Sequence, residues 1–357
     1  MKNNINEQGF TLLELMIALA LGLVIVAAAV TLFITGQRSY TVQQGMSENQ
    51  NNANFGLNLI TRDVRHANLD GARTGLTDRS ISGGIVLSSK ANPYIDTANK
   101  NAEIANLPVS ITAANAPLAL LSRSNGQTAS TTNNQWSGIS NVTLATGGDS
   151  LQSDQLVIQY LPLEEMIGSF DCEGREITSR DEYVIQRYFL RKDTNAASTE
   201  PNEPLALACD AGRYTIPTPE IKATTTTVGK PATPTEFKNY GDAGQIIMQR
   251  VDHFRVLFGV VDDLTAPSTP TYQYVDVKKY FELPQTEEKP RPKIFAIQLG
   301  VLSRSTQSVG DDGMIKTDQK FQILDQEVKI KTTTGTPPKY VRQVVTQTIA
   351  LRNASGG

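Results

Sequence analysis

Hydrophobic and polar positions are distributed unevenly along this chain, and the most extreme pattern comes first. From Leu15 to Gln37 the run LMIALALGLVIVAAAVTLFITGQ holds no charged residue. A helix needs about 20 apolar residues to cross a bilayer, and this run supplies them. It stays apolar on every face for about six turns, which a soluble core helix rarely does. The run therefore predicts one membrane-spanning helix. A polar leader, MKNNINEQG, precedes it. A cleaved secretory signal has the other order: a shorter apolar stretch, a small-residue cleavage site, then a polar mature start.

Beyond Arg38 a weaker helical pattern resumes. Phe55 and Leu59 fall on one face, and Leu57, Ile60, Val64 and Ala67 on the next. Gly36, Gly45 and Gly56 are soft points, and the NQNNAN stretch at 49–54 is a poor helix former. Gly71 is a candidate cap. One helix is expected from Phe10 to about Asn68, with a membrane half at 10–36 and a soluble half within 37–70.

Residues 71–150 read as a variable insertion rich in Asn, Ala, Ser, Thr and Gly. Short apolar islands at Val109–Ile111 and Leu118–Leu121 suggest brief strands between long loops. Within 151–357, β patterns dominate. Strands are expected at Gln155–Tyr160, Tyr183–Arg191, Val251–Val260, Lys293–Leu302, Phe321–Ile330 and Val341–Arg352. In the fourth, Phe295, Ile297, Leu299 and Val301 share one face. Pro217–Glu236, with its TTTT run, reads as an exposed loop. Strand runs after one long helix define an α+β fold: a long N-terminal helix packed on an antiparallel β-sheet domain with long loops.

Composition narrows the function. Apolar residues make up 39% of the 357, enough for a real core, so whole-chain disorder is excluded. A net charge of -3 argues against a direct nucleic-acid binder. The chain has only 2 His and 2 Cys, and neither type forms a closely spaced pair, so no structural zinc site is expected. Hydrolase and metalloprotease motifs are missing. Gly229-Lys230 lacks the upstream glycine of a phosphate loop. Asp262-Asp263 and Asp311-Asp312-Gly313 lack the ligand spacing of an EF-hand and read as solvated turns. His253 is expected to be a satisfied strand residue and His66 a surface helix residue. No catalytic residue, cofactor or metal is therefore expected, and the protein is not read as an enzyme.

Glu14 stands out. A carboxylate at the edge of a membrane span is costly, and such charges usually mark a site with a partner. Snorkelling to the headgroups is the plainer alternative. The surrounding order, Gly9-Phe10-Thr11-Leu12-Leu13-Glu14-Leu15, resembles the prepilin motif of type IV pilins and type II secretion pseudopilins. That resemblance implies cleavage after Gly9 by a prepilin peptidase, methylation of the new N-terminal Phe10, and retention of the apolar helix. It also implies that Glu14 pairs with the Phe10 amine of a neighbouring subunit during assembly. Residues 1–9 would be the prepilin leader.

Further segments resemble the PilW family of type IV pilus minor pilins. In the first helix these include Arg62, Asp63 and Arg65, which could equally form a solvated polar face. Later segments are Arg187-Tyr188-Phe189, Leu207-Ala208-Cys209-Asp210, Val251 to Val260, Ile297 to Ser305 and Thr348 to Asn353. No correspondence holds over 72–150 or 217–244. The family implies a single-pass inner-membrane protein with a periplasmic C-terminal domain, which primes pilus assembly and sits at or near the pilus tip. Twitching motility, adhesion and DNA uptake are the downstream roles. Its implied partners are other minor pilins, the major pilin, a pilus-tip adhesin, the prepilin peptidase and the inner-membrane assembly platform. The alternatives are a type II secretion pseudopilin and a membrane-anchored periplasmic sensor or enzyme. In an oxidising periplasm Cys172 and Cys209 would form a disulfide, with two buried thiols as the alternative.

Overall fold

The computed structural model describes residues 9–69, 75–89, 94–96, 102–107, 120–128, 136–196, 200, 202–215, 237–262, 270–286, 290–308, 315–316, 318–331 and 339–354. Residues 1–8 of the leader, the apolar island at 109–111, the segment 217–236, Asp263, Asp311 to Gly313 and Gly71 lie outside these. Helix α1 spans Leu12–Val64. It is followed by β1 (Tyr94–Asp96), β2 (Ala102–Ile104), β3 (Val142–Leu144), β4 (Leu156–Tyr160), β5 (Tyr183–Lys192), β6 (Leu205–Tyr214), β7 (Gln245–Gln249), β8 (Val251–Asp262) and β9 (Thr271–Val275). The short helix α2 (Val277–Glu282) precedes β10 (Ile294–Arg304), β11 (Lys320–Ile323), β12 (Gln326–Ile330) and β13 (Arg342–Ala350).

At 1.5 Å per residue α1 is about 80 Å long. Thr11 and Glu14 start it with a capping box: the Thr11 side chain accepts from the Glu14 amide, and the Glu14 carboxylate accepts from the Thr11 amide. The helix ends four residues before the expected Asn68, with Arg65 as its C-cap. Turns then carry the chain to Asn68, which sits at a φ of 63°. Asn68 fastens this end. Its backbone N–H donates to Gln159 O, and its side chain reaches Asn353 O at 2.7 Å and accepts from the Gly84 amide. Gly84 must be glycine, because a Cβ there would lie 2.0 Å from the Asn68 nitrogen.

Two four-stranded sheets carry the core, with strand orders β4-β5-β6-β7 and β13-β10-β8-β9, antiparallel throughout. The chain passes from one sheet to the other through Arg250 alone, at a φ of 56°. Its guanidinium is held by Asp193 and Glu200 at 2.9 and 2.7 Å. The inner faces share a core with α1. Ala53, Leu57, Ile60 and Val64 meet Ile158, Tyr188, Leu207 and Met248 from the first sheet, and Phe254, Val256, Leu299 and Ile349 from the second.

Alternation along β4 gives the first sheet a second buried face, because Leu156 and Ile158 point to the main core and Val157 away from it. That outer face is covered by Val86, Leu107, Leu120 and Leu121, all from the stretch expected to be an insertion. Trp136 of the same stretch is buried and donates to Ser153 O at 2.9 Å.

The expected strand at Phe321–Ile330 is corrected. It is a hairpin, β11 and β12, turning at Leu324 with a φ of 51°. With β3 it forms a three-stranded sheet. Arg255 on β8 ties these layers together. It bonds Asp325 in the hairpin turn at 2.7 and 2.9 Å, Asp276 at the α2 N-cap at 2.9 Å, and the buried Asp154 at 3.3 Å.

Candidate assembly surface

The first feature of functional interest is what α1 leaves uncovered. No residue of the helix before Gly45 is buried. Phe10 is 86% exposed and Leu32 74%, and Leu12, Leu13, Leu23 and Phe33 are exposed with them. About 50 Å of helix, of which roughly the first 40 Å is apolar, therefore stands clear of the folded domain. Water does not tolerate such a surface, so it belongs in lipid or against other apolar helices. It is long and apolar enough to cross a membrane.

Gly9 and Phe10 lie immediately before this helix, and a Cβ on Gly9 would meet nothing within 4 Å. Glu14 is exposed on the first turn, and one carboxylate oxygen accepts from both the Thr11 amide and the Thr11 hydroxyl at 2.9 Å. The carboxylate thus has a local role as a helix cap as well as a charge. The T-x-x-E spacing at Thr11–Glu14 carries that signal in the sequence.

The rest of α1 is a docking face. Asn49 donates to Ser303 O at 3.2 Å and Asn52 to Gln249 O at 2.8 Å. The asparagines that weaken the helix locally are the groups that fasten it to strand ends. Gly45 and Gly56 are close-approach points here: a Cβ on Gly45 would lie 3.3 Å from Ser305 Cβ, and one on Gly56 would lie 2.6 Å from Met248 Cε. Asp63 is buried and accepts from the Tyr188 hydroxyl at 2.8 Å. Burial pushes its carboxyl up, against that hydrogen bond and Arg62. Asp63 is therefore no solvated surface charge, whereas Arg62 and Arg65 are exposed. His66 lies just past the helix rather than on it, half-buried with its ring 5.6 Å from that of Tyr160.

Cys172 and Cys209 are joined in a disulfide with Cα atoms 6.1 Å apart. It links the loop after β4 to the middle of β6. Closing a loop over a separation of 37 residues is worth about 4 kcal/mol on the chain-entropy model. Beside it lies a carboxylate group that sequence spacing did not show, Glu173, Asp210 and Asp242, with ligand-capable atoms within 4.8 Å of one another. Guanidinium groups already occupy it. Arg187, fully buried, reaches Asp210 at 2.7 Å, and Arg175 bonds Glu173 and lies 3.5 Å from Asp242. Burial raises Asp210 to about 6.

His253 is sealed between the hydroxyls of Ser140 and Ser153 at 3.0 and 3.2 Å. Burial lowers it to about 3, so it is neutral and closed to substrate.

Residues 4–30 match the family model of the prokaryotic N-terminal methylation motif. Residues 210–353 match that of the type IV pilus-assembly protein W. The solved structure of a type IV-like pilin from Thermus thermophilus matches at 12% identity over 57% of this chain and 80% of its own, with a TM-score of 0.26. No curated protein matches the chain. The methylation-motif match takes in Gly9, Phe10 and the first part of an apolar helix that the folded domain leaves bare. Together with the PilW match, which begins in β6 and runs past β13, this supports a type IV pilus minor pilin.

Proposed function

We propose that this protein primes assembly of the type IV pilus and stays at or near the tip, supporting twitching motility, adhesion or DNA uptake. The leader 1–9 is removed by a prepilin peptidase after Gly9, and Phe10 becomes the methylated N-terminus. Residues 10–36 hold the protein in the inner membrane with the β-rich domain in the periplasm. Glu14 acts on other minor pilins, the major pilin and the assembly platform, and the domain end supports a tip adhesin. The observation that carries this reading is the uncovered apolar half of α1, directly preceded by Gly9 and Phe10. A helix that the domain leaves bare can move from lipid into a bundle of like helices without unfolding anything. Intact mass and N-terminal sequencing of protein extracted from membranes test the proposal. The expected chain starts at an N-methylated Phe10. An uncut Met1, or a start near residue 30, overturns it.

A further inference from the structure

At the domain end of α1 the structure forms a cleft of about 500 Å³ between the last helical turns and the end of β13. Asn58, Arg62, Arg65 and His66 line one wall, and Gln347 and Arg352 the other. No carboxylate lines it. Asp63, behind the wall, is buried and bonded to Tyr188, with Arg62 at 3.3 Å as its counter-charge. Burial lowers His66, so the ring is neutral at neutral pH. The Arg65 and Arg352 side chains are exposed, and among the described residues neither has an ion-pair partner. A cation near residue 62 or 65 is accounted for by the helix C-terminus, which favours positive charge. Arg352 is not, since it arrives from a different element. Phe55 lies on the same helix stripe as Asn58 and Arg62, at i+3 and i+7, and is 72% exposed.

We infer that this cleft docks an acidic segment of a neighbouring protein subunit, whose carboxylates pair with Arg65 and Arg352 and whose adjacent apolar side chain covers Phe55. Two arginine forks from opposite walls suit carboxylates bidentately. Membrane phosphates do not reach it. At 1.5 Å per residue Arg62 stands about 38 Å beyond Gln37, the end of the charge-free run. A small free anion would leave most of the cleft empty and give Phe55 no partner. The inference rests on the assembly reading only for the source of the neighbour.

The test places a photoreactive residue at position 58 of the full-length protein in its own cells, with crosslinked peptides identified by mass spectrometry. The expected adduct is a protein segment with two or more carboxylates within about five residues of the crosslinked position. Arg65→Glu with Arg352→Glu should cut the yield at least tenfold, and reversing the partner's carboxylates to Lys should restore it. An intact Cys172–Cys209 disulfide in that variant checks the fold, and Arg352→Glu alone replaces the double variant should it misfold. A phospholipid adduct, a neutral or basic segment, a second copy of this chain, no adduct, or a yield unchanged by charge reversal overturns the inference. An acidic segment on a protein that is neither a pilin, a tip adhesin nor part of the assembly platform leaves the inference standing and overturns the minor-pilin reading.

Discussion

The hydroxyl of Tyr188 on β5 donates to the buried carboxylate of Asp63 on α1 at 2.8 Å, so the helix that carries the membrane anchor is locked to the sheet by one charge-assisted bond. The only other acceptor near that hydroxyl among the described residues is Gln186 at 3.5 Å. Removing one partner of such a bond costs about 1.5–3 kcal/mol, because the other stays buried and unsatisfied. Tyr188→Phe is expected to lose that much stability. Asp63→Asn, which keeps an acceptor, should lose less. Denaturant unfolding of the detergent-solubilised chain gives both values, and equal losses would remove the charge from the account.

Gly56 sets how closely α1 lies on β7. An added Cβ would be 2.6 Å from Met248 Cε and 3.1 Å from Met248 Cβ. In Gly56→Ala the gain in helix propensity, about 1 kcal/mol, opposes this crowding, so the net change should be small. Gly56→Leu should cost about 2–3 kcal/mol, since overpacking forces the helix off the strand. Met248→Ala should recover part of the Gly56→Leu loss. Additivity of the two substitutions in thermal melts would show that the contact does not limit the packing.

Much of this was legible from the chain alone. The apolar run, the long helix and most long strands follow from periodicity, because a strong one-sided pattern admits one partner face. Strand β6 was not, since LALACDAGRY is buried on both faces and shows no alternation, and it is poor in β-branched residues. The β11–β12 hairpin was hidden because its turn uses Leu324 at positive φ, where the usual signal is Gly or Asn. The bonds from Asn49 and Asn52 were out of reach, since their acceptors lie 254 and 197 residues away in the sequence. The cleft was hidden for the same reason, Arg352 meeting Arg65 only through tertiary structure.

Asp154 makes the domain pH-sensitive. It is fully buried, and desolvation raises it to about 7 although Arg255 lies 3.3 Å away and the Val256 amide donates to it. Arg255 divides its attraction among three carboxylates, and the two others keep more solvent contact. A folded-state value above the ordinary 3.8 means that the folded chain holds the proton more tightly than the unfolded one. This group's contribution therefore weakens as pH rises from about 4 to about 7, by up to roughly 1.4 kcal/mol per pH unit. Asp154→Asn lacks that slope. The stability of the native chain relative to the variant should rise when melts are repeated at pH 5 instead of pH 7.5. A constant or falling difference would place the carboxylate charged throughout.

Glu14 caps α1 and is proposed to act in assembly, and Gln tells the two roles apart. Its carboxylate caps α1 through the Thr11 amide and hydroxyl, which a Gln side-chain oxygen can still do. Pairing with a neighbour's Phe10 amine needs the charge, and in a low dielectric that attraction is far stronger than in water, though desolvation offsets part of it. Glu14→Ala loses both, Glu14→Gln only the second, and Glu14→Asp keeps the charge one methylene short. Glu14→Ala and Glu14→Gln should insert into the membrane at least as well as the native chain, and all three should still be cleaved, since the proposed cut falls after Gly9. If charge drives assembly, Glu14→Gln should match Glu14→Ala in loss of surface pili and of crosslinks to other minor pilins, with Glu14→Asp intermediate. If the cap is what matters, Glu14→Gln should assemble normally while Glu14→Ala fails. Normal piliation with Glu14→Ala, in cells without a redundant set of minor pilins, would leave the carboxylate with no part in assembly.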